Sequence, residues 1–137
     1  MNMLNKKEII SASPLSGVEE VKFGMKRDEV RAIFGEAKEF KKNKFSKNTT
    51  DDLGFCHVYY TGDDCCEAIE LFNDVKVLID NKKVFPTTIQ EAKAVIGDMQ
   101  CDDSKTFYTN KEMSVSICMN SDNTMESILF GGKGYYD

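Results

Sequence analysis

The chain is poor in several residues on which common chemistries depend. It has one histidine, His57, and only two prolines among 137 residues. Arginine occurs only as Arg27 and Arg31. No apolar run approaches the roughly 18 residues of a membrane-spanning helix. The N-terminal stretch MNMLNKKEIISASPLSG is too polar for a signal peptide, so a cytoplasmic protein is expected. No Pro/Gly/Ser-rich linker divides the chain, and its length suits one domain over residues 1–137. The five cysteines, Cys56, Cys65, Cys66, Cys101 and Cys118, include no Cys-x-x-Cys pair. In a reducing compartment they read as free thiols, mostly small buried hydrophobes.

Acid is plentiful. Asp and Glu number 23 against 18 Lys and Arg, for a net charge of −5. Residues 1–48 carry 11 basic and 7 acidic side chains, whereas residues 49–137 carry 7 basic and 16 acidic. An acidic surface attracts basic partners and repels nucleic acid, so direct nucleic-acid binding is not expected. The lysines at 38, 41, 42, 44 and 47, spaced by Phe40 and Phe45, read as a solvated loop with two anchoring aromatics.

Periodicity predicts two helices. In the first, Met25, Val30, Ile33 and Phe34 share a face, Asp28 and Glu29 lie near the positive end, and Gly35 stops it. The second follows Pro86, with a Thr88-x-x-Glu91 capping box, an apolar face of Ile89, Ala92, Val95 and Ile96, and Gly97 as its end. Elsewhere the period is two. Residues 55–60 and 67–72 flank a turn at 61–64, a strand covers 75–79, and 113–119 pairs with 125–130. A shift of 62 lays Phe23, Glu29, Ala32 and Gly35 on Phe85, Glu91, Ala94 and Gly97. The expected class is therefore α+β: an antiparallel sheet with helices packed on one face, in two tandem helix-hairpin units at about 18–72 and 75–130. The expected core includes Val30, Ile33, Phe34, Ile69, Leu71, Val95, Ile96, Val115, Ile117 and Leu129.

No catalytic constellation emerges. A structural zinc site needs four N/S ligands, and adjacent Cys65 and Cys66 point to opposite faces of a strand. Cys56 and His57 likewise face apart, which leaves no defined thiolate–imidazole pair. Gly131-Gly132-Lys133-Gly134 precedes no helix that could hold a phosphate. The expectation is a protein without metal or cofactor, and not an enzyme. The remaining candidates are the acidic pairs Asp51-Asp52, Asp63-Asp64 and Asp102-Asp103, read as a carboxylate rim for Lys and Arg on a partner. His57, Tyr59 and Glu70, on the central hairpin, complete the expected partner-binding set. Tyr59 and Tyr60 lie on opposite faces of their strand, so one of them points away from the core.

The segment from Val21-Lys22-Phe23-Gly24-Met25 through Glu29-Val30 to Gly35 resembles a Phe-Gly-Met-x-x-x-Glu-Val-x-x-x-x-Gly signature. That signature belongs to tandem helix-and-sheet proteins, among them the β-lactamase inhibitor protein and small outer-membrane assembly lipoproteins. In its charged hairpins and the ending Ser127-Ile128-Leu129-Phe130-Gly131-Gly132-Lys133-Gly134-Tyr135-Tyr136, the chain also resembles cytoplasmic immunity proteins of contact-dependent growth-inhibition and polymorphic toxin systems. The resemblance implies an immunity protein for a cognate toxin; the acidic surface adds the expectation that this toxin is a basic nuclease domain whose cleft the protein occludes, the protein being a monomer before it binds. The alternatives are an envelope or assembly scaffold of the same fold and a small thiol-dependent enzyme.

Overall fold

The computed structural model describes residues 9–41, 43–46, 48–72 and 75–136. Lys42 and Lys47 of the lysine-rich stretch lie outside these residues. The first strands are β1 (Ile9–Ser13), β2 (Gly17–Val18) and β3 (Val21–Lys22), followed by helix α1 (Arg27–Phe34). A run of strands comes next: β4 (Lys38–Phe40), β5 (Thr50–Asp52), β6 (Cys56–Tyr60) and β7 (Cys66–Leu71). After β8 (Lys76–Ile79) and β9 (Lys82–Phe85) comes helix α2 (Ile89–Ile96). The last strands are β10 (Gln100–Cys101), β11 (Phe107–Asn110), β12 (Val115–Met119) and β13 (Met125–Gly131).

The helices form where local chemistry demands them. Thr88 Oγ1 accepts the Glu91 N–H at 3.2 Å, and the Gly97 N–H closes α2 on the Lys93 carbonyl. The Glu91 carboxylate takes the Thr87 hydroxyl rather than completing a reciprocal box with the Thr88 backbone. At α1 the Glu29 carboxylate accepts the Lys26 N–H, and Asp28 and Glu29 meet the positive end of the helix.

The expected α+β class is overturned. Among the described residues strand accounts for 45% and helix for 13%, in two sheets rather than one sheet with helices packed on it. The smaller sheet runs β3-β2-β1-β8-β9, with β1 and β8 parallel and the other neighbours antiparallel. The strand expected at 75–79 is thus part of a different sheet from the central hairpin. The larger sheet runs β10-β11-β12-β13-β7-β6-β5-β4 and is antiparallel throughout. In place of a helix-hairpin unit, each helix is followed by a four-stranded meander, and the two meanders join where β13 pairs with β7. The missed strands have a physical reason. Most are segments of two to four residues, too short to show alternation, and Lys and Asp, typical of protective sheet edges, read as loop; β1 is longer, but its Ile-Ile-Ser-Ala-Ser run hides its alternate burial.

One face of the larger sheet supplies Cys56, Val58, Tyr60, Ile69, Leu71, Val115, Ile117, Ile128 and Phe130 to the core. Ile10, Val18, Val77 and Val84 from the smaller sheet join them, with Val30 and Phe34 from α1 and Ala92 and Ile96 from α2. Ile33 and Val95, expected in the core, are only partly buried against it. Leu129 departs further: it is half-buried on the opposite face, while Ile128 and Phe130 point inward. An Ile-Leu-Phe run is apolar in both phases, so alternation cannot decide which residues go inside.

Candidate partner-binding face

The inner side of the larger sheet holds an ion cluster beneath α1. Asp51, on β5, is 0% exposed. Its carboxylate accepts Arg27 Nη1 at 3.1 Å, Arg31 Nε at 3.0 Å, Arg31 Nη2 at 2.6 Å and the Tyr60 hydroxyl at 2.9 Å. Arg27 also donates to Asp64 Oδ1 at 2.9 Å and to Thr49, and its guanidinium stacks on the Tyr60 ring at 4.1 Å. Arg31 reaches Glu39 at 2.9 Å, and this contact, with a Thr49 hydroxyl bond, holds the Glu39 carboxyl below its ordinary value. Burial and the Asp51 carboxylate push the Tyr60 phenol well up, so it stays a donor. Both arginines are consumed here.

The other face is open and differently furnished. Because paired residues share a side, the register lines up Thr109, Ser116, Leu129, Glu70, His57, Asp52 and Lys38 across seven strands. Two β-bulges add carboxylates to this side. Between Cys118 and Met119 the register skips a residue of β13, so Glu126 and Ser127 together oppose Cys118. The slip at Tyr59/Tyr60 does the same for Glu67 and Ala68 on β7. Glu70 sits at the centre, its two oxygens accepting the Tyr59 hydroxyl at 2.6 Å and the Ser127 hydroxyl at 2.7 Å. His57 lies between carboxylates, with Nδ1 3.9 Å from Glu70 and Nε2 3.7 Å from Asp52. Phe40 and Phe72 meet its ring edge-on, with centroids 4.9 and 4.6 Å away. Of the two aromatics expected to anchor the lysine-rich stretch, Phe40 lies on β4 against the His57 ring though 36% exposed, and Phe45 is 81% exposed.

Tyr135 and Tyr136 fold back over part of this face. A Cβ at Gly131 would come within 2.7 Å of the Tyr135 ring, so only glycine lets Tyr135 lie on the sheet there. Burial, then the nearby Glu67 carboxylate, pushes the Tyr135 phenol up to about 12. Burial likewise raises Tyr59, reinforced by its bond to Glu70. Tyr136 lies beside Ser116 and Leu129.

The expected acidic rim is therefore split. Asp51 faces inward, Asp64 is tied to Arg27 and Asn48, and Asp52 Oδ1 caps the Gly54 N–H. Asp102 Oδ1 accepts the Thr106 and Phe107 N–H groups, which keeps its carboxyl below the ordinary value and makes it the brace of its own turn. Asp63 and Asp103 remain exposed. His57, Tyr59, Glu70 and Asp52 are brought together on the open face. Sequence reasoning missed Phe40, Phe72, Phe107, Glu67, Glu126 and Ser127 as their neighbours, because cross-strand register and bulges leave no local signal.

The thiols are all free. Burial raises Cys56 well above its ordinary value and Cys66 to about 12; burial and the Glu126 carboxylate raise Cys118 to about 11. Among the described residues no group of three or more His, Cys, Asp or Glu side chains is placed to hold a metal ion. No helix among them is long and apolar enough to cross a membrane. In comparisons with protein-family models, curated proteins and solved structures, nothing matches this chain.

Proposed function

We propose that the protein is an immunity-type inhibitor that binds a cognate toxin, a basic nuclease-like domain, and occludes its cleft. It acts in the cytoplasm as a monomer before the toxin arrives, and it catalyses no reaction. The observation that carries this reading is the segregation of charge across the larger sheet. Arg27 and Arg31 are spent on Asp51 inside, while Asp52, Glu67, Glu70 and Glu126 stand on the open side, where Lys38, at the β4 edge, is the one cation of the aligned row. Opposite charge speeds encounter, and desolvated rings slow dissociation. The raised thiols Cys56, Cys66 and Cys118 favour binding over thiolate chemistry, which requires a lowered value. The test is co-expression with the toxin domain encoded beside this chain. Survival with the chain, death without it, and a complex that elutes together are the expected results. Equal killing with and without the chain refutes the reading.

A further inference from the structure

Two shallow depressions lie on the open face, of about 360 and 230 Å³, and they share Glu70 and Ser127 as a common wall. Together they make one furrow across the strands, from Phe107 on β11, which is 49% exposed, to Phe72 beyond the end of β7. Tyr136 closes one side of the furrow, and His57 and Glu126 flank the end nearer Phe72.

The electrostatics of this furrow are unbalanced. Among the described residues no lysine or arginine pairs with Glu70 or Glu126; the His57 imidazole lies 3.9 Å from Glu70. A carboxylate offers about four lone-pair sites, and Glu70 uses two, for Tyr59 and Ser127. Glu126 Oε2 accepts the Cys118 thiol at 3.2 Å. Those bonds fix the carboxylates in place without neutralising them. Planar rings at both ends and fixed oxygens between them suit a flat, delocalised cation with several N–H donors better than a compact ammonium.

We infer that this furrow receives an arginine of a basic protein segment, its guanidinium meeting Glu70 and Glu126 beside His57 and Phe72. The inference rests on the partner-binding reading and locates the contact that the reading requires. It also moves the principal contact away from the acidic turns, since Asp51, Asp64 and Asp102 are occupied by groups of the chain itself.

The chain's single histidine makes the test direct, because its imidazole C–H proton resonances report on one site. The probe is a short acetylated peptide of alternating glycine and arginine, with lysine and glutamate versions as controls. The arginine peptide is expected to move the His57 resonances saturably, the lysine peptide to bind several-fold more weakly, and the glutamate peptide to leave them unmoved. Glu126→Gln, on an exposed residue, is expected to weaken the arginine peptide at least about tenfold, whereas Asp63→Asn and Asp103→Asn stay within about twofold. Amide proton spectra of each variant establish that it is folded. His57 resonances that ignore the arginine peptide, or unchanged affinity in folded Glu126→Gln, overturn the inference. Protection from the toxin with an unresponsive furrow refutes the furrow alone. A furrow that binds arginine as described in a chain that gives no protection refutes the immunity reading alone.

Discussion

Asp51 separates a structural carboxylate from a partner-binding one, because the two roles predict opposite measurements. Its side chain is fully buried and receives three bonds from guanidinium groups and one from a phenol. Replacing it with alanine leaves Arg27, itself buried, and Tyr60 without that acceptor. Removing one member of a buried ion pair costs about 3–5 kcal/mol, mostly from the uncompensated charge left behind. A domain is stable by only about 5–15 kcal/mol, so Asp51→Ala should remove roughly a fifth or more of that margin. With a urea dependence of about 2 kcal/mol per molar, the unfolding midpoint should fall by roughly 2 M. Arg31→Gln, at a half-exposed position, should cost less alone, and the double variant should show a coupling of about 0.5–3 kcal/mol. The assay is urea unfolding followed by far-ultraviolet circular dichroism. A loss below about 1 kcal/mol for Asp51→Ala, close to that of an exposed aspartate, would refute the buried-clamp account.

Phe34→Ala should cost about 3–5 kcal/mol in the same assay, since Phe34 is buried against Phe55 with ring centroids 6.0 Å apart; a loss under about 1 kcal/mol would mean that α1 does not present this face to the core. The thiols set an alkaline limit. Cys66 and Cys118 are raised from 9.0 to about 12 and about 11, so the stability held in their neutral forms is complete below about pH 9 and is lost as pH rises through those values. Under reducing conditions, Cys66→Ala should flatten the decline in urea midpoint between pH 8 and 11, and an unaltered slope would contradict the assignment. Association with a basic toxin domain should slow as salt rises to physiological strength, where screening shortens to about 8 Å; a rate independent of salt would argue against charge steering.

What could be read in the chain depended on how local the controlling interaction is. Thr88, Glu91 and Gly97 specify α2 within ten residues, and the central hairpin announces itself by alternation on either side of its turn. The β5 residues Thr-Asp-Asp carry no such signal. Asp51 can be buried in this strand because Arg27 and Arg31, 24 and 20 positions away, neutralise it, contacts that no short window of sequence contains. At Asp102 a purely local interaction decides: Asp favours turns, and its carboxylate braces the Thr106 and Phe107 N–H groups of its own turn rather than forming a rim for a partner. On the open face, His57 and Tyr59 were legible as same-side neighbours. Glu126 was not, because only the β-bulge beside Cys118 turns it to that side.

The junction of the two meanders bears on how the chain reaches its fold. Each meander is assembled from neighbours in sequence, but the β13–β7 pairing joins residues 57 positions apart, as the Ser127–Glu70 bond shows. Loop-closure entropy delays such pairing, so the two halves should form before they meet. Until they do, β7 and β13 are open edges carrying Ala-Ile-Glu-Leu and Ser-Ile-Leu-Phe, the kind of segment that pairs with any exposed strand. The interval before closure is when the chain is most prone to aggregate, and Glu70 and Glu126 are the charges that stand guard on those two edges.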